Sequence, residues 1–394
     1  MAKRTYEEIN AKIREGRAVV VNAEEVINIV RDEGVKAAAA KIDVVTTGTF
    51  GIMCSSGAFL NFWHTKPKMK MTNVWLDNVP AYGGIAAVDC YLGATEISAN
   101  DPANSHHPGQ FRHGGGHVIE SLIRGDSVHL VADAYGTDCY PRRSYEQTLT
   151  LKDIREAFIF SPRNAYQNYN VATNCSDRTV YTYMGILQPN CANIHYSSAG
   201  QLSPLLNDPY YRTIGIGSHI FLGGGEGFVA WPGTQHAPNS ERNSFGLPIG
   251  GAGTIAVVGD IKQMNAEYVR GVSLTGYGVS LMMGIGVPIP IIDDEMMEFC
   301  AVRDEDIEAP LCDYGRDGYP TGNDCVLTTV NYAALKSGEI EFQGKRIRTA
   351  PMSSYSKALE IANTLKDWIK AGKFEITQPV KLLPTDEKYT AKEG

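Results

Sequence analysis

Residues 18–46 read AVVVNAEEVINIVRDEGVKAAAAKIDVVT, and this stretch decides the fold class. Its two ends, residues 18–21 and 42–46, are rich in β-branched residues and are predicted to be strands. Between them, Asn22 and Glu25 form a capping-box pattern that predicts a helix running towards the second strand. This order predicts an α/β protein, with helices packed on a largely parallel or mixed sheet and Gly-rich loops at the strand ends.

The rest of the chain continues without a linker or an internal repeat. Its C-terminal part predicts a strand pair, a helix and a last strand, at residues 325–330, 339–342, 354–371 and 373–377. We therefore expect one continuous domain over residues 1–385, followed by a frayed tail over residues 386–394.

A thiol follows the second strand of the opening unit. Residues 47–57 read TGTFGIMCSSG, a turn rich in Gly, Ser and Thr that contains Cys54. If Ser55 or Ser56 caps a helix, the helix dipole would favour the thiolate of Cys54. We predict Cys54 as a catalytic residue and the two serines as substrate-binding residues.

A second thiol follows another predicted strand. Residues 127–143 read SVHLVADAYGTDCYPRR, an apolar run that ends in a turn just before Cys139. Ligands bind at such strand-end loops in α/β sheets, and Arg142 and Arg143 would favour the nucleophilic thiolate. Either arginine could also hold a substrate carboxylate bidentately. The alternatives are a half-buried cysteine in an ordinary turn and a solvated pair of arginines.

Composition limits the class of protein. The chain has 394 residues, 43% of them hydrophobic, and a net charge of −8, so it can bury a large core and lacks the basic stripe that nucleic acid requires. Without an apolar N-terminal segment or a run of eighteen apolar residues, we expect a cytoplasmic protein that does not enter a membrane. Its eight cysteines are too few for a disulfide scaffold, so we expect free thiols, ligands or catalysts, with Cys175 and Cys191 as packing residues.

No spacing predicts a metal or a cofactor. Cys300, Cys312 and Cys325 match no common zinc or iron–sulfur pattern, and the chain contains neither a dinucleotide fingerprint nor a P-loop. His113 and His117 have the spacing of two metal ligands on a helix, but the three glycines between them argue against a helix there. A Gly-rich turn that opens a helix near Val118, with N–H groups free for an anion, is the preferred interpretation.

His219 and His236 lie beside Gly clusters and are predicted to bind substrate, as general acids. Satisfied structural histidines are the alternative.

Four segments resemble the homocysteine biosynthesis family and follow its order: VVTTGTFGIMCSSGAFLNF, HLVADAYGTDCYPR, IFLGGGEGFVAWPGTQH and SSYSKALEIANTLKDWIKAGKF. The likeness runs from about Tyr6 to Leu383. Members are described as L-aspartate semialdehyde sulfurtransferases, so the resemblance implies sulfur insertion into L-aspartate semialdehyde to give L-homocysteine, by way of a cysteine persulfide. It also implies that Cys139 carries the persulfide and that Cys54 is a second important cysteine.

Many archaeal members carry a C-terminal pair of CBS domains, which this sequence lacks. The resemblance therefore implies the chemistry without regulation through such domains.

The chemistry requires a reductant, because replacing an aldehyde oxygen by sulfide and forming CH2–SH consumes two electrons. In our hypothesis Cys139 carries the sulfur that attacks the aldehyde, Cys54 resolves the intermediate, and an external donor reduces the resulting disulfide. The expected partners are L-aspartate semialdehyde, a sulfide source, a ferredoxin-like electron donor protein and further copies of the chain. The alternatives are a CoA-transferase-like enzyme that uses Glu226 and a non-catalytic sulfur carrier.

Overall fold

The computed structural model describes residues 4–316 and 325–386. The tail expected to fray lies, beyond Asp386, outside the described residues. Within them the α-helices are α1 (Tyr6–Arg14), α2 (Glu25–Glu33), α3 (Val35–Lys41), α4 (Gly115–Arg124), α5 (Pro204–Asn207), α6 (Asp294–Cys300), α7 (Tyr332–Lys336) and α8 (Tyr355–Lys370).

Strands make up most of the regular structure. They are β1 (Val20–Asn22), β2 (Val44–Thr46), β3 (Thr49–Ile52), β4 (Gly57–Asn61), β5 (Asn73–Leu76), β6 (Val79–Tyr82), β7 (Asp89–Gly93), β8 (Val128–Asp133), β9 (Ser144–Leu149), β10 (Glu156–Asn164), β11 (Val171–Thr173), β12 (Val180–Thr182), β13 (Gly185–Leu187), β14 (Asn193–Tyr196), β15 (Gly215–Ile216), β16 (His219–Leu222), β17 (Gly225–Pro232), β18 (Ile255–Asp260), β19 (Val269–Leu274), β20 (Gly278–Gly286), β21 (Pro288–Pro290), β22 (Glu308–Asp313), β23 (Val326–Asn331), β24 (Glu339–Phe342), β25 (Lys345–Pro351) and β26 (Lys381–Leu382).

The opening strand–helix–strand unit is confirmed. β1 and β2 pair in parallel, and β21 adds an antiparallel strand beside them. The Asn22 side chain accepts hydrogen bonds from the backbone N–H of Glu25 at 2.7 Å, and the Glu25 carboxylate accepts one from the Asn22 N–H at 2.8 Å. The helix is divided into α2 and α3 at Gly34, whose φ of 83° a right-handed helix cannot contain.

The largest sheet has thirteen strands in the order β19-β20-β16-β17-β18-β10-β4-β7-β6-β5-β8-β9, with β3 paired to β20. Its ladders are antiparallel. Short hairpins join β5 to β6, β16 to β17 and β19 to β20, and such connections allow only antiparallel pairing, since a parallel pair needs a long crossover. The α/β class with mixed sheets is confirmed, and the largest sheet is its antiparallel part.

A second, mixed sheet has the order β23-β22-β11-β14-β25-β24, with parallel pairs β11–β22 and β14–β25. The predicted pairing of residues 325–330 with residues 339–342 is wrong, because these segments, β23 and β24, form opposite edges of this sheet. Each is instead paired with its immediate neighbour, β22 or β25.

The C-terminal helix prediction is confirmed by α8, whose N-cap Ser354 accepts a hydrogen bond from the Lys357 N–H at 3.3 Å. The strand predicted at residues 373–377 is wrong. This segment is irregular, because the Asn10 side chain satisfies both backbone groups of Ile376, at 2.8 Å and 3.0 Å. Within the described ranges, no helix combines the length and the apolar character needed to cross a membrane.

Candidate active site

Cys54 lies in the tight turn that joins β3 to β4. The Met53 N–H donates to the Leu281 carbonyl at 2.7 Å, and the Ser56 N–H donates to the Met53 carbonyl at 3.0 Å, so both sides of the turn are fixed. Gly57 begins β4, where a side chain would collide with the Tyr91 ring. A strand follows the turn, so the predicted helix dipole at Cys54 is wrong.

The Cys54 turn forms part of the wall of a cavity of about 370 Å³. This volume is typical of sites for small molecules. Three kinds of polar group share the wall: the Cys54 thiol, the Arg163 guanidinium and several hydroxyls, among them Ser55 and Tyr183. The cavity is therefore able to bind a small polar ligand against a free thiol.

The surroundings of the Cys54 thiol shift its pKa in opposite directions. Burial raises its pKa above that of an ordinary cysteine, and this effect dominates. Two neighbours oppose it: the Ser280 hydroxyl donates to Cys54 Sγ at 3.2 Å, and the positive charge of Arg163 favours the thiolate. The thiol is thus mainly protonated at neutral pH, beside groups that stabilise its anion.

Strand pairing brings Arg163 to this cavity. β10 pairs with β4 so that Phe160 lies opposite Gly57, and continuing that register leads to Arg163 opposite Cys54. The pairing of β10 with β18 is interrupted by a bulge between Ser161 and Asn164. Bulges redirect side chains, and here the affected segment includes Arg163.

Tyrosines form another part of the cavity wall. The Tyr183 hydroxyl lies 3.1 Å from that of Tyr169 and 2.9 Å from that of Tyr314. Burial raises the pKa of Tyr183 and of Tyr166 far above the ordinary value. These phenols therefore remain neutral at physiological pH and are able to donate hydrogen bonds to a carbonyl oxygen.

The predicted proximity of Cys54 and Cys139 is wrong within one chain. Cys54 precedes β4, whereas the other end of β4 leads to His64, whose ring lies 6.0 Å from that of Tyr140. The five residues of β4 alone span roughly 17 Å, while the Cα atoms of a disulfide lie within about 7 Å.

The direction of the strands explains this separation. In a parallel sheet, the loops that follow the strands share one edge. This sheet is antiparallel, with β7, β6 and β5 between β4 and β8, and Cys54 precedes β4 whereas Cys139 follows β8. The loop after β8, with exposed Cys139, consequently lies at the edge opposite Cys54. There the Cys139 Sγ is 3.5 Å from the Thr137 Oγ1.

Arg142 and Arg143, the arginines predicted to hold a substrate carboxylate, lie near Cys139. Arg142 donates from its backbone to the Lys68 carbonyl at 3.1 Å and from its side chain to the Lys66 carbonyl at 3.0 Å. Arg143 is exposed. Neither lines the Cys54 cavity.

Of the two predicted serines, Ser55 lines the cavity. Ser56 is buried, with its hydroxyl 2.9 Å from that of Ser161, and thus has a structural contact.

Both predicted histidines lie outside the lining of this cavity. His219 stacks between Phe228 and Phe374, with ring centroids 5.0 Å and 3.8 Å away. His236 is buried, and its Nε2 lies 2.9 Å from the Pro384 carbonyl oxygen. Their contacts are those of structural histidines.

Glu226, the nucleophile of the CoA-transferase alternative, also lies elsewhere. Its Oε2 is 3.4 Å from His219 Nε2, and it borders a different cavity, beside Phe158 and Phe228.

The Gly-rich turn before α4 opens a helix, as predicted, but offers no free anion site. The N–H groups of Gly115, Gly116 and His117 already donate to Glu96, Ala94 and Gly114 at 2.8, 3.0 and 3.0 Å. Among the residues with described positions, no three His, Cys, Asp or Glu side chains are grouped to hold a metal ion.

The expectation that all cysteines are free is wrong for one pair. Cys175 and Cys191, predicted to be packing residues, form a disulfide. Cys90 and Cys300 are buried free thiols, and burial raises the pKa of Cys90 to about 12. Cys312 and Cys325 are buried together, their thiols in hydrogen-bond contact.

Sequence patterns did not identify Arg163. Its neighbours in the chain, IFSPRNAY, carry no recognised motif, and Cys54 lies more than a hundred residues away. Only the β4–β10 register connects the two.

Residues 18–376 match the family described as "Homocysteine biosynthesis enzyme, sulfur-incorporation". A protein of Methanocaldococcus jannaschii named L-aspartate semialdehyde sulfurtransferase is 47% identical over 405 aligned residues, covering 100% of this chain and 75% of that protein. A protein of the same name from Methanosarcina acetivorans is 48% identical over 385 residues, covering 97% and 72%. An uncharacterised protein of Methanothermobacter thermautotrophicus is 29% identical over 348 residues, covering 86% and 73%. No solved structure matches the chain.

Proposed function

This chain belongs to the homocysteine biosynthesis family, and we propose that it transfers sulfur to L-aspartate semialdehyde to form L-homocysteine. Two relatives that align with nearly all of the chain bear the name of this activity. The observation that carries the proposal is the cavity in which the free thiol of Cys54 faces the same space as the Arg163 guanidinium and neutral phenols.

The reaction balances with one external reductant. The aldehyde and hydrogen sulfide give a thioaldehyde and water, and two electrons with two protons convert the thioaldehyde to the thiol. If the sulfur arrives as sulfane sulfur, two further electrons cleave the S–S bond. We propose a ferredoxin-like protein as the electron donor.

Cys54 is the only cysteine among the described residues that line the cavity. Its persulfide would add to the aldehyde carbon while Tyr183 or Tyr166 donates a hydrogen bond to the developing oxyanion. Two electrons and two protons then cleave the S–S bond, which restores the Cys54 thiol and leaves a hydroxythiol on the substrate carbon. Loss of water gives the thioaldehyde, and the further two electrons and two protons convert it to the thiol of homocysteine. This order replaces the expected one, in which Cys139 attacked and Cys54 resolved.

Cys139 remains the proposed persulfide carrier, because its exposed thiol is accessible to a sulfur donor in solution. Since β4 separates it from Cys54, we propose that sulfur passes from Cys139 of one chain to Cys54 of a second, in a homo-oligomer. Most cysteines of the described chain are free thiols, which fits our proposal of a cytoplasmic location.

The test is homocysteine formation by the purified full chain with L-aspartate semialdehyde, a sulfane-sulfur donor and a strong low-potential reductant. We expect turnover by the wild type and none by Cys54→Ser. A protein that takes up sulfur yet forms no homocysteine under these conditions would be the non-catalytic carrier instead.

A further inference from the structure

Arg163 is a cation in a cavity, and no carboxylate of the described residues forms an ion pair with it. Its Nη1 donates to the Gln235 side-chain oxygen, and its Nε is buried without a hydrogen-bond partner. An unpaired buried donor on a charged group is costly unless a ligand satisfies it. The expected ligand is an anion.

The surroundings hold the guanidinium in place. Its central carbon lies 5.8 Å from the centre of the Tyr166 ring, so the cation faces an aromatic side chain. Gln235, which accepts the Nη1 hydrogen bond, has a φ of 63°, uncommon for a residue with a side chain. The neighbours thus fix Arg163 while its Nε–H lacks a partner.

The proposed substrate, L-aspartate semialdehyde, is small enough to contact Arg163 with one end and Cys54 with the other. In L-aspartate semialdehyde, three carbon–carbon bonds separate the carboxylate carbon from the aldehyde carbon. A carboxylate on Arg163 therefore leaves the aldehyde within the same cavity, towards a thiol on which the Arg163 charge already acts.

We propose that Arg163, oriented by Gln235 and Tyr166, binds the α-carboxylate of the substrate and so holds its aldehyde at Cys54. This inference rests on the proposed function. It assigns to Arg163 the part that the sequence suggested for Arg142 and Arg143, which lie beside Cys139.

The kinetic test compares Arg163→Gln and Arg163→Lys with Arg155→Gln in the full chain. Arg155 is an exposed arginine near the start of the same strand, with its guanidinium over Trp63, and serves as the matched control. We expect KM for L-aspartate semialdehyde to rise at least about tenfold in Arg163→Gln, from the loss of a charge-assisted hydrogen bond, and less in Arg163→Lys. Arg155→Gln should behave as the wild type. An unchanged KM in Arg163→Gln would overturn the proposal.

A second test does not depend on catalysis. Iodoacetate and iodoacetamide alkylate a thiolate by the same reaction, but only iodoacetate carries a carboxylate. In Arg163→Gln the ratio of the iodoacetate rate to the iodoacetamide rate should fall several-fold at Cys54 and remain constant at Cys139, as measured by peptide mass spectrometry. A change in Cys54 acidity alters both rates together and cancels in the ratio.

The two tests separate the possible failures. If the wild type makes no homocysteine while the Cys54 ratio still falls in Arg163→Gln, the proposed function fails and the anion site stands. A ratio that is equal in wild type and Arg163→Gln would show that Arg163 does not recognise carboxylates.

Discussion

The hydroxyls of Ser56 and Ser161 lie 2.9 Å apart in the core, one step beyond the last backbone pair of the β4–β10 ladder. Asn164 also donates to the Ser161 oxygen. This contact continues the register that leads from Ser56 to Cys54 on one strand and from Ser161 to Arg163 on the other. It therefore connects the thiol with the only arginine that lines its cavity among the described residues.

Ser161→Ala should destabilise the protein. It leaves the buried Ser56 hydroxyl without its partner and leaves the Asn164 amide with only its longer bond, of 3.4 Å, to the backbone carbonyl of residue 161. The loss costs about 1–3 kcal/mol. Urea denaturation should show a lower midpoint with an unchanged slope. Ser144→Ala, at an exposed position on β9, is the control, and equal stability of the two variants would contradict the role of the contact.

Alkylation of Cys54 should increase with pH into the alkaline range. Burial raises its pKa, so the reactive thiolate is a minor form at neutral pH and becomes more abundant as pH rises. Ser280→Ala removes the hydroxyl that donates to Cys54 Sγ, so the pKa should rise further.

At pH 8 we expect alkylation of Cys54 at least about threefold slower in Ser280→Ala, since a hydrogen bond to an anion is lost. The two rates should converge at high pH, and the Cys139 rate in the same samples is the internal control. Faster alkylation of Cys54 in Ser280→Ala would refute the assigned hydrogen bond.

The two cysteine variants should fail differently. Cys54→Ser should be inactive at any concentration of a sulfane-sulfur donor, and when it is loaded with that donor before reductant is added it should carry one extra sulfur atom on Cys139, visible by mass spectrometry. Cys139→Ser should lose activity with a limiting sulfane-sulfur donor and regain part of it with an excess of a small sulfane-sulfur donor such as polysulfide, which reaches Cys54 by diffusion. Full activity of Cys139→Ser with the limiting donor, or an adduct on Cys54 alone, would reverse the assignment of the loading site.

Mild oxidation should not join Cys54 to Cys139 within a monomer. Cys54 precedes β4, whereas the loop of Cys139 contacts His64, beyond the other end of β4, through Tyr140. The length of β4 exceeds the Cα separation that a disulfide allows. Non-reducing gels with peptide mapping should show such a bond, if any, only between chains. Recovery of the cross-linked peptide pair from a dilute monomeric sample would show that the loop after β8 moves across the sheet.

Local patterns predicted the local elements. The Asn22–Glu25 capping box, the parallel β1–β2 pair and α8 all arise from contacts or periodicities within about thirty residues, and all are present. Cys54, which the sequence singled out, lines the cavity, and the turn that holds it is continuous in sequence; its catalytic role stays a prediction.

Relations between distant strands were not predictable in the same way. Whether a strand-end loop lies at one edge of a sheet or the other depends on strand direction, which sequence periodicity does not contain. For this reason the sequence did not reveal that Cys139 lies far from Cys54. It also did not reveal Arg163, because the register of the β4–β10 ladder places it opposite Cys54. The Cys175–Cys191 bond was missed because neither cysteine has a diagnostic spacing.

That disulfide constrains one part of the cavity wall. It closes a loop with a sequence separation of 16, and the β12–β13 hairpin inside this loop presents Tyr183 and Met184 to the cavity. A cross-link over such a loop removes about 3 kcal/mol of conformational entropy from the unfolded chain. Reduction of this bond would therefore release the hairpin that carries Tyr183 and Met184, and with it this part of the cavity wall, from its covalent constraint.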